Sequence, residues 1–413
     1  MQNTIWDVVV IGGGPAGMMA AGRAGELGKR VLLLEKNAAL GTKLLITGGG
    51  RCNVTNDKPV REVLARYKQG GKFLASPFSQ FAVAETIVFF RERGMELKEE
   101  SGGRMFPATE KAQSVLDVLV RYLKYGDVTV RTESTVTGLT TSDTEVHIAL
   151  SGTEIIRARH CIVATGGTSH PETGSTGDGF VWLAKLGHTI RANDMSLVPI
   201  ALSDAWVKDA AGVTLDDIKL TACKDGVKQE SYKGRILFTH VGISGPTVLN
   251  MSREVGELLE EAVSDVRIML DMFPALDHGA LRTKLQESLV AGSNKKFKNV
   301  LSSLIAPGLV DPLLAMLEVD GETPCHSVRT ETRQALMFLL KAIPLHVSHL
   351  LGKDKAVVSS GGVALTEIDF KTMRSLVSPR ISIAGDLLDI DRPSGGYSLQ
   401  LCWTTGWVAG SGV

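Results

Sequence analysis

Three glycines near the start of the chain have the spacing that suits the binding of a dinucleotide. An apolar run is followed by glycines at 12, 14 and 17 and then by a second apolar run that ends in Glu35. In a strand–turn–helix unit, Gly12 permits the tight turn, Gly14 lets the backbone approach a pyrophosphate, and Gly17 lets helix and strand pack closely. The phosphates would lie at the helix N-terminus, where unbonded N–H groups face them. Glu35 can accept hydrogen bonds from both ribose hydroxyls and would repel a 2′-phosphate, so the predicted ligand is FAD or NAD and not NADP.

A second informative block lies near the other end of the chain. A short apolar run ends in Gly385 and Asp386, and Gly395 and Gly396 then precede a helical pattern. The acid can hold the ribityl hydroxyls of an extended FAD, and a helix N-terminus beyond it can stabilise negative charge on the flavin ring. The alternative is a solvent-facing Asp in an ordinary β–turn–helix. Because NAD needs no such second contact, and no second Gly-x-Gly-x-x-Gly unit occurs, we predict FAD as the resident cofactor and NAD(P)H as a transient hydride donor.

A glycine-rich loop, residues 47–53, follows soon after the ribose-binding strand. Its successive N–H groups can form an anion-binding concavity, and Arg51 can neutralise a phosphate or a reduced, anionic flavin. Cys52 has two interpretations. It could donate a proton to carbon after hydride arrival, or it could be a small, partly buried side chain that fills space under the loop; we favour the second.

Two histidines are candidates for acid–base chemistry. His170 lies near the segment 174–179, which is either a flexible loop with an N-cap at Asp178 or the lining of a cavity above the flavin ring. His240 belongs to the distinctive segment 238–246, where turn glycines and a following helix suggest the floor of a pocket. It could orient a substrate carbonyl or protonate an enolate-like intermediate, or it could be a hydrogen-bonded core histidine.

Two further clusters have simple structural explanations. His346 and His349 would share a helix face if residues 344–351 were helical, but no further ligand stands at metal spacing, so we expect no metal site. The basic run 295–298 is the densest on the chain. On a helix its Phe297 would face inward while the lysines stay in water, although an RNA phosphate contact is the alternative.

Composition is that of an ordinary globular protein. The 413 residues are 44% hydrophobic and 22% charged with a net charge of zero, so no global field draws the chain to nucleic acid or membrane. No apolar run has membrane-spanning length, and we expect neither a signal peptide nor a membrane partner. The five cysteines are odd in number and scattered, which suits a reducing cytoplasm better than a disulfide framework, and the lack of a Cys-x-x-Cys argues against a dithiol–disulfide flavoenzyme. The oligomeric state is left open.

The elements that position these residues indicate an α/β fold. A strand, a helix and a strand fill 6–36, helical patterns follow around 79–94 and 111–125, and 127–163 contains several short strands. We therefore predict a Rossmann-like FAD-binding domain, with a parallel sheet and a β-meander, that carries an inserted β-rich domain and a helical subdomain. The predicted boundaries are 1–192 plus 353–413 for the FAD-binding domain, 193–276 plus 324–352 for the inserted domain, and 277–323 for the helical subdomain.

Four motifs together resemble one known family. They are ITGGGRCNVTN at 46–56, FPATEKAQSVLDVL at 106–119, LFTHVGISGPTVL at 237–249, and the SGGV…GD…SGGYSLQ tail. These are similar to the YhiN/BaiN-like family of FAD-dependent oxidoreductases, of which this chain resembles a divergent branch. The resemblance implies a glutathione-reductase-type FAD domain with inserted β and helical domains. It further implies that Lys43 and residues 47–53 lie along FAD and that the GISGP segment faces the flavin.

The resemblance also sets the expected reaction. It implies a reductase in which NAD(P)H reduces FAD and the flavin N5 hydride then passes to an activated C=C of an α,β-unsaturated carbonyl compound. Members of the family reduce conjugated enones of steroid acids, and one reduces uridine to dihydrouridine in ribosomal RNA, so a small molecule or rRNA is the expected partner. A flavin monooxygenase and a non-catalytic redox sensor are the alternatives.

These arguments give two sets of candidate residues. The candidate catalytic residues are Arg51, Cys52, His170 and His240. The candidate FAD-binding residues are Gly12, Gly14, Pro15, Ala16, Gly17, Glu35, Lys36, Lys43, Thr47, Gly48, Gly49, Gly50, Arg51, Cys52, Asn53, Val136, Ala164, Thr165, Gly166, Gly385, Asp386, Gly395, Gly396, Tyr397 and Gln400.

Overall fold

The fold was analysed in a computed structural model that describes residues 5–191, 195–196, 198–260, 265–351, 358–359 and 361–413. The chain forms two compact units. Unit 1 consists of Met1–Asp194 together with Val357–Val413, and unit 2 is the continuous stretch Met195–Ala356. The finer division that separates a helical subdomain at 277–323 stays a prediction.

The bounds of the elements are as follows. The strands are β1 (Ile5–Ile11), β2 (Val31–Leu34), β3 (Thr55–Asn56), β4 (Leu97–Glu100), β5 (Arg104–Pro107), β6 (Thr129–Arg131), β7 (Val136–Thr141), β8 (Val146–Leu150), β9 (Ile155–Val163), β10 (Ile190–Arg191), β11 (Met195–Ser196), β12 (Ile200–Leu202), β13 (Thr214–Lys224), β14 (Val227–Thr239), β15 (Gly242–Ser244), β16 (Val266–Asp271), β17 (Ile343–Leu350), β18 (Val358–Ser359), β19 (Gly362–Val363) and β20 (Ile381–Ile383). The α-helices are α1 (Pro15–Glu26), α2 (Thr42–Leu45), α3 (Val60–Ala65), α4 (Gly70–Gln80), α5 (Val83–Glu92), α6 (Ala112–Tyr125), α7 (Asp178–Lys185), α8 (Pro246–Glu260), α9 (His278–Ala291), α10 (Phe297–Leu301), α11 (Val310–Met316), α12 (Thr330–Lys341) and α13 (Tyr397–Ser411).

A seven-stranded mixed sheet forms the centre of unit 1. Strands β6, β2, β1 and β9 lie side by side in parallel, and β20 adds to β9, also in parallel. Strands β7 and β8 form an antiparallel meander that joins the first half of β9. Residues 8–11 of β1 and all of β2 are buried, as expected for parallel strands that are covered on both faces. The predicted Rossmann-like α/β class is confirmed.

Two helices of unit 1, α1 and α13, approach each other unusually closely. A Cβ atom added to Gly406 would lie 2.4 Å from the carbonyl oxygen of Ala16, and one added to Gly410 would lie 2.4 Å from that of Ala20. Only glycine permits such backbone contact. The helix predicted after the glycine pair near the C-terminal end is therefore present, and small residues hold it against the dinucleotide-binding helix.

The helix expected around 79–94 is broken. Phe81 is extended, with φ −153° and ψ 96°, and α5 begins only at Val83. The carboxylate of Glu85 accepts a hydrogen bond of 2.9 Å from the N–H of Ala82 and so caps this start. Within the described ranges, no single helix has the length and apolar composition to cross a membrane, although the bent pair α4 and α5 meets both criteria when taken together.

Unit 2 contains a closed antiparallel barrel of six strands in the order β12, β15, β14, β13, β16, β17. Helices α9 to α12 share its apolar core, in which Phe238, Ile268 and Phe297 are almost completely buried. Both β-rich and helical regions are thus present, as predicted. The conditional helix at 344–351 is wrong, because these residues form most of β17. The imidazole of His346 instead forms a hydrogen bond with the carboxylate of Asp204, with 2.8 Å between Nδ1 and Oδ1.

Candidate functional site

A groove opens in unit 1 at the carboxyl ends of the parallel strands β2, β1, β9 and β20. It contains about 870 Å³ of empty space, open solvent included. This is the edge at which open α/β sheets bind their ligands. The lining consists of residues 11–16, 34–37, 41–43, 134, 136, 164–166, 173–178, 182, 385–386 and 402.

The three glycines of the first turn have three different surroundings. Gly12 has φ +105°, and a Cβ there would lie 2.5 Å from the carbonyl oxygen of Ala164. A Cβ at Gly17 would lie 1.9 Å from the carbonyl oxygen of Gly12, so Gly17 permits close packing. Gly14 has no protein atom within 4 Å of its added Cβ, and it precedes α1 without a side-chain cap. The space beside Gly14 and the uncapped helix start therefore suit a phosphate group.

Glu35 is buried at the end of β2 and is fixed by the backbone. Its Oε2 accepts a hydrogen bond of 2.7 Å from the N–H of Gly13, and its Oε1 accepts one of 2.8 Å from the N–H of Asn37. A carboxylate oxygen can accept more than one hydrogen bond, so both oxygens keep capacity for the hydroxyls of a ribose. The neighbouring Lys36 donates to Thr176 across the groove and pairs with Asp178 at 3.0 Å.

An unsatisfied hydroxyl marks the opposite wall. The Oγ1 atom of Thr165 is buried and has no hydrogen-bond partner among the described residues. Thr165 follows β9 between Ala164 and Gly166, and all three line the groove together with Val136. Because buried polar groups are normally hydrogen-bonded, this hydroxyl fits a polar ligand in the groove.

A largely buried ionic cluster lies at the end of the groove that follows β20. Asp386 pairs with Lys43 at 3.2 Å and with the side chain of Arg392, which is 1% exposed. Lys43 also donates a hydrogen bond of 2.7 Å to Ser169. Burial acts to raise the pKa of Asp386, but Arg392 and Lys43 outweigh it and hold that pKa below its usual value. The carboxylate thus stays ionised where the ribityl chain was predicted to bind.

The sequence did not indicate Arg392 as part of the site. It lies six residues after Asp386, in the segment that leads to the glycine pair. Its guanidinium also donates to the carbonyl oxygen of Ile390 at 2.6 Å and to the Ser398 hydroxyl at 3.2 Å. A fully buried arginine beside a buried acid is visible only in three dimensions, because an isolated Arg in a loop carries no comparable signal.

The loop 47–53 does not line the groove. Its glycines 48, 49 and 50 all have positive φ, and Arg51 turns away to pair with Glu100 and, at 3.4 Å, with Glu110. The Arg51 guanidinium also lies over the ring of Phe106, 4.4 Å from its centroid. Its Nε and the Oδ1 of Asn53 are buried without partners among the described residues. Two carboxylates therefore already compensate the charge that was predicted to face the flavin.

Cys52 is completely buried and adopts a left-handed conformation with φ 62°. Burial raises the pKa of its thiol to about 12. The thiol therefore keeps its proton at neutral pH, and the side chain fills space beneath the loop. Its predicted alternative role as a proton donor remains untested.

The two candidate histidines lie outside the groove. His170 has φ 55°, and its Nδ1 is 2.9 Å from the carboxylate of Glu172. His240 is exposed in unit 2, at the tight turn between β14 and β15. Their catalytic roles stay predictions.

Gly395, Gly396 and the residues around them form the start of α13. Gly396 has φ +96°, and a Cβ there would lie 2.6 Å from the backbone of Thr55. The carbonyl oxygen of Tyr397 accepts a hydrogen bond of 2.8 Å from Tyr67. Gln400 uses its side-chain amide within the core, accepting from Thr55 and donating to two other threonines. Gln400 thus has a structural role, while Gly395 and Gly396 set the direction of the helix.

The groove residues fit FAD. An uncapped helix start, a glycine whose added Cβ would have no neighbour, a buried acid for a ribose and a second acid that is largely buried line one continuous groove. When bound, FAD supplies a redox ring that accepts and donates hydride.

Comparisons with known proteins agree with this geometry. The family model described as the HI0933-like protein Rossmann domain matches residues 6–412. The chain is 29% identical over 408 residues to a ribosomal RNA dihydrouridine synthase of Escherichia coli (strain K12), covering 98% of this chain and 96% of that protein. It is 28% identical over 403 residues to a 3-dehydro-bile acid delta(4,6)-reductase of Clostridium scindens, covering 97% of each.

A solved structure supports the fold. The crystal structure of a 3-ketosteroid delta1-dehydrogenase from Sterolibacterium denitrificans covers 98% of this chain and 99% of its own, with a TM-score of 0.54 and 12% identity. At this identity the likeness concerns the fold alone. With the family match over nearly the whole chain, the predicted resemblance is confirmed: the chain belongs to the HI0933-like family and is an FAD-dependent oxidoreductase.

Proposed function

We propose that the protein is a reductase that saturates an activated C=C of an α,β-unsaturated carbonyl compound, with NAD(P)H as the hydride source and flavin N5 as the atom that delivers the hydride. The observation that carries the proposal is similarity, over at least 97% of the chain, to two enzymes whose names describe this kind of chemistry. Uridine and a dehydrogenated bile acid differ greatly in shape. The bond that is reduced in each is a C=C conjugated with a carbonyl group.

The residues of unit 1 supply binding and electrostatics for this reaction. Gly14 and the start of α1 hold the pyrophosphate, Glu35 holds the adenosine ribose, and Asp386 holds the ribityl hydroxyls. Lys43 and Arg392 leave the cluster around Asp386 with one net positive charge. Such a fixed charge favours the accumulation of negative charge nearby and therefore favours reduction of the cofactor.

The hydride donor is proposed to bind transiently. The sequence contains one glycine-rich dinucleotide turn, and this turn is assigned to FAD. A nicotinamide cofactor would therefore reach the flavin from solvent, react and leave. This assignment predicts that the protein retains FAD, but not NAD(P)H, through gel filtration.

A small-molecule substrate is favoured over ribosomal RNA. In the basic run 295–298, Lys296 pairs with Glu322 at 2.5 Å and Lys298 pairs with the same carboxylate. Phe297 is buried, as predicted for a solvated helix face. Glu322 thus pairs with two of the three lysines of the run and lowers its local charge from +3 to +2, and the net charge of the chain is zero, so the run is a weak basis for binding an RNA backbone.

An anaerobic experiment tests the proposal. NADH and NADPH are added separately to the FAD-loaded protein, and loss of flavin absorbance identifies the donor. The reduced protein is then mixed with a steroid enone, a quinone or a ribosomal RNA fragment. We expect the enone to restore the flavin absorbance within seconds and to yield the saturated ketone. If only the RNA reoxidised the flavin, the substrate would be RNA and not a small enone. A hydroperoxide spectrum on exposure to air would indicate a monooxygenase.

Replacing Cys52 separates its two interpretations. We expect Cys52→Ala to reoxidise at the wild-type rate, because the buried thiol does not contact the groove. Stopped-flow absorbance with the enone measures this rate, and a Cys161→Ala variant, which removes another buried thiol, serves as the control. A reoxidation rate reduced by about 100-fold or more, as for loss of a general acid, would restore Cys52 to the mechanism.

A further inference from the structure

A second cavity lies at the opposite edge of the sheet in unit 1. Its lining includes residues 7–8 of β1, residues 159–160 of β9 and the residue before β20, and it contains about 1290 Å³ of empty space, open solvent included. Val8 of β1 and His160 of β9, which are register partners, both line it. We name it the basic cavity for the four cations in its lining: Lys29, Arg159, Arg374 and Arg380.

Two of these cations are held in place by the backbone and keep free donors. Arg374 donates its Nε and Nη2 to the carbonyl oxygen of Gly412. Arg380 donates its Nε to the carbonyl oxygen of Asp143 at 2.7 Å and its Nη1 to that of Arg159 at 3.1 Å. Within the described part of the chain, Nη1 of Arg374 and Nη2 of Arg380 have no partner. Each guanidinium is therefore fixed on one side and open on the other.

The other two cations are little compensated. The side chain of Arg159 is 72% exposed, and its nearest acid, Asp7, is 3.6 Å away. The ammonium group of Lys29 has no hydrogen bond or ion pair with any described residue. Asp7 and Asp143 also line the cavity, so its cationic side chains outnumber the acidic ones by four to two.

A buried histidine lies close to these cations. His160 is buried between β1 and β20, and its Nε2 is 2.9 Å from the hydroxyl of Ser382. Burial, followed by Arg374, Arg380 and Lys29, lowers the pKa of His160 to about 3. The ring is therefore neutral at pH 7, and three of the four cations are close enough to oppose its protonation.

We propose that the basic cavity binds a phosphate-bearing anion. The planar guanidinium group matches the geometry of phosphate oxygens. Those of Arg374 and Arg380 are already held by backbone carbonyls, so they lose little conformational freedom when an anion binds. The cavity is separate from the FAD groove, because the groove lies at the carboxyl ends of these strands. Two sources share this chemistry: a free phosphorylated small molecule and the backbone of an RNA strand.

Calorimetric titration of the FAD-loaded protein with inorganic pyrophosphate tests the proposal. FAD occupies the other phosphate site throughout. The test variant is Lys29→Gln/Arg159→Gln, because neither side chain holds a backbone carbonyl. We expect its affinity for pyrophosphate to fall by about tenfold or more, since two of the four positive charges that attract the anion are lost. The matched control is Lys72→Gln/Lys124→Gln, two exposed lysines of α4 and α6, for which the affinity stays within about twofold of wild type.

Flavin absorbance and the melting temperature confirm that both variants are folded. A short single-stranded RNA that competes with pyrophosphate, and that also loses affinity in the test variant, identifies RNA as the source. RNA that does not compete assigns the site to a small phosphorylated molecule. Equal pyrophosphate affinity in wild type, test variant and control, or no saturable binding in the wild type up to about 10 mM, would overturn the proposal.

Discussion

Gly12 and Gly14 are two residues apart and have opposite relationships to the rest of the protein. Gly12 is crowded by the backbone around Ala164 and has a positive φ, whereas a Cβ added at Gly14 would have no neighbour within 4 Å. The first glycine is therefore required by the protein, and the second is required only by what binds there. Single-residue substitutions can separate folding from cofactor binding in this turn.

We expect Gly12→Ala to prevent stable folding and Gly14→Ala to fold normally with weakened FAD binding. Added Cβ atoms meet the Ala164 carbonyl oxygen at 2.5 Å in the first case and no atom in the second. Thermal unfolding and fluorescence titration of the apoprotein with FAD measure the two effects, and we expect an FAD affinity loss of about tenfold or more for Gly14→Ala, equivalent to at least about 1.4 kcal/mol. Wild-type FAD affinity in Gly14→Ala would exclude pyrophosphate from this position.

The buried cluster of Asp386 and Arg392 gives a second prediction. Arg392→Met leaves the largely buried carboxylate of Asp386 with only Lys43, and we expect it to lower the free energy of unfolding by about 2–4 kcal/mol. Arg392→Met/Asp386→Asn removes both charges and should regain part of this loss. Lys36→Met, which breaks the more exposed pair with Asp178, should cost less than about 1 kcal/mol. Equal losses for Arg392→Met and Lys36→Met would contradict the assignment.

The same cluster predicts a pH dependence. The pKa of Asp386 is lower in the folded protein than its ordinary value of about 4, so its contribution to stability is fully present above about pH 4 and is lost as the pH falls through the folded value. We therefore expect the stability difference between wild type and Asp386→Asn to be constant from pH 5 to 7 and to shrink below about pH 4. Urea unfolding at several pH values measures this difference, and a gap that widens in acid would show the opposite sign of the pKa shift.

Helices α1 and α13 show how an element far along the chain completes the first turn. Their contact depends on Gly406 and Gly410, which bring the backbones together without side chains. Helix propensity alone would favour alanine at both positions by about 1 kcal/mol. The packing of α13 on α1 is therefore maintained against local preference.

We expect Gly406→Ala and Gly410→Ala to lower the free energy of unfolding by about 1–3 kcal/mol each, because overpacking outweighs the gain in helix propensity. Gly138→Ala in β7 is the control, since its added Cβ has no neighbour within 4 Å. Chemical denaturation compares the three variants. Stabilisation by either helix substitution would show that the two helices separate easily.

The local elements could be predicted from the sequence, but the long-range pairings could not. The turn at Gly12 and the acid Glu35 act within one strand–helix–strand unit, so spacing alone reveals them. The partners of Arg51 are acids about 50 and 60 residues further along, and nothing near Arg51 indicates them. Similarly, His346 lies on a strand because the barrel requires one there, although its short apolar run also suits a helix.

The chain as a whole consists of one continuous unit inserted into one discontinuous unit. Unit 2 contains its own closed barrel and its own apolar core. Unit 1 contains the groove, the basic cavity and the parallel sheet, and it needs both ends of the chain. All five cysteines are free thiols, so no covalent link ties these segments together. The predicted cytoplasmic location remains a prediction.

We expect residues 195–356 to fold when expressed alone. A closed barrel has no open edge strand, and the fragment keeps all six barrel strands together with helices α9 to α12. Circular dichroism with thermal melting should show one cooperative transition, and the fragment should bind no FAD. A fragment that melts without cooperativity would show that unit 2 depends on unit 1 for its structure.

The contact between α1 and α13 has a consequence for synthesis on the ribosome. Helix α1 emerges early, yet α13, one of the elements that it packs against, does not exist until Tyr397–Ser411 has been translated. At about 5–20 residues per second, this delay lasts roughly 20–75 s. During that time the side of the nascent α1 that faces α13 has no native partner, although α6 can already pack on another side of α1, and β9 still lacks β20. Capture of the yellow cofactor is therefore a late event that is completed only after elongation has nearly finished. Stalled chains would bind no flavin and would tend to aggregate.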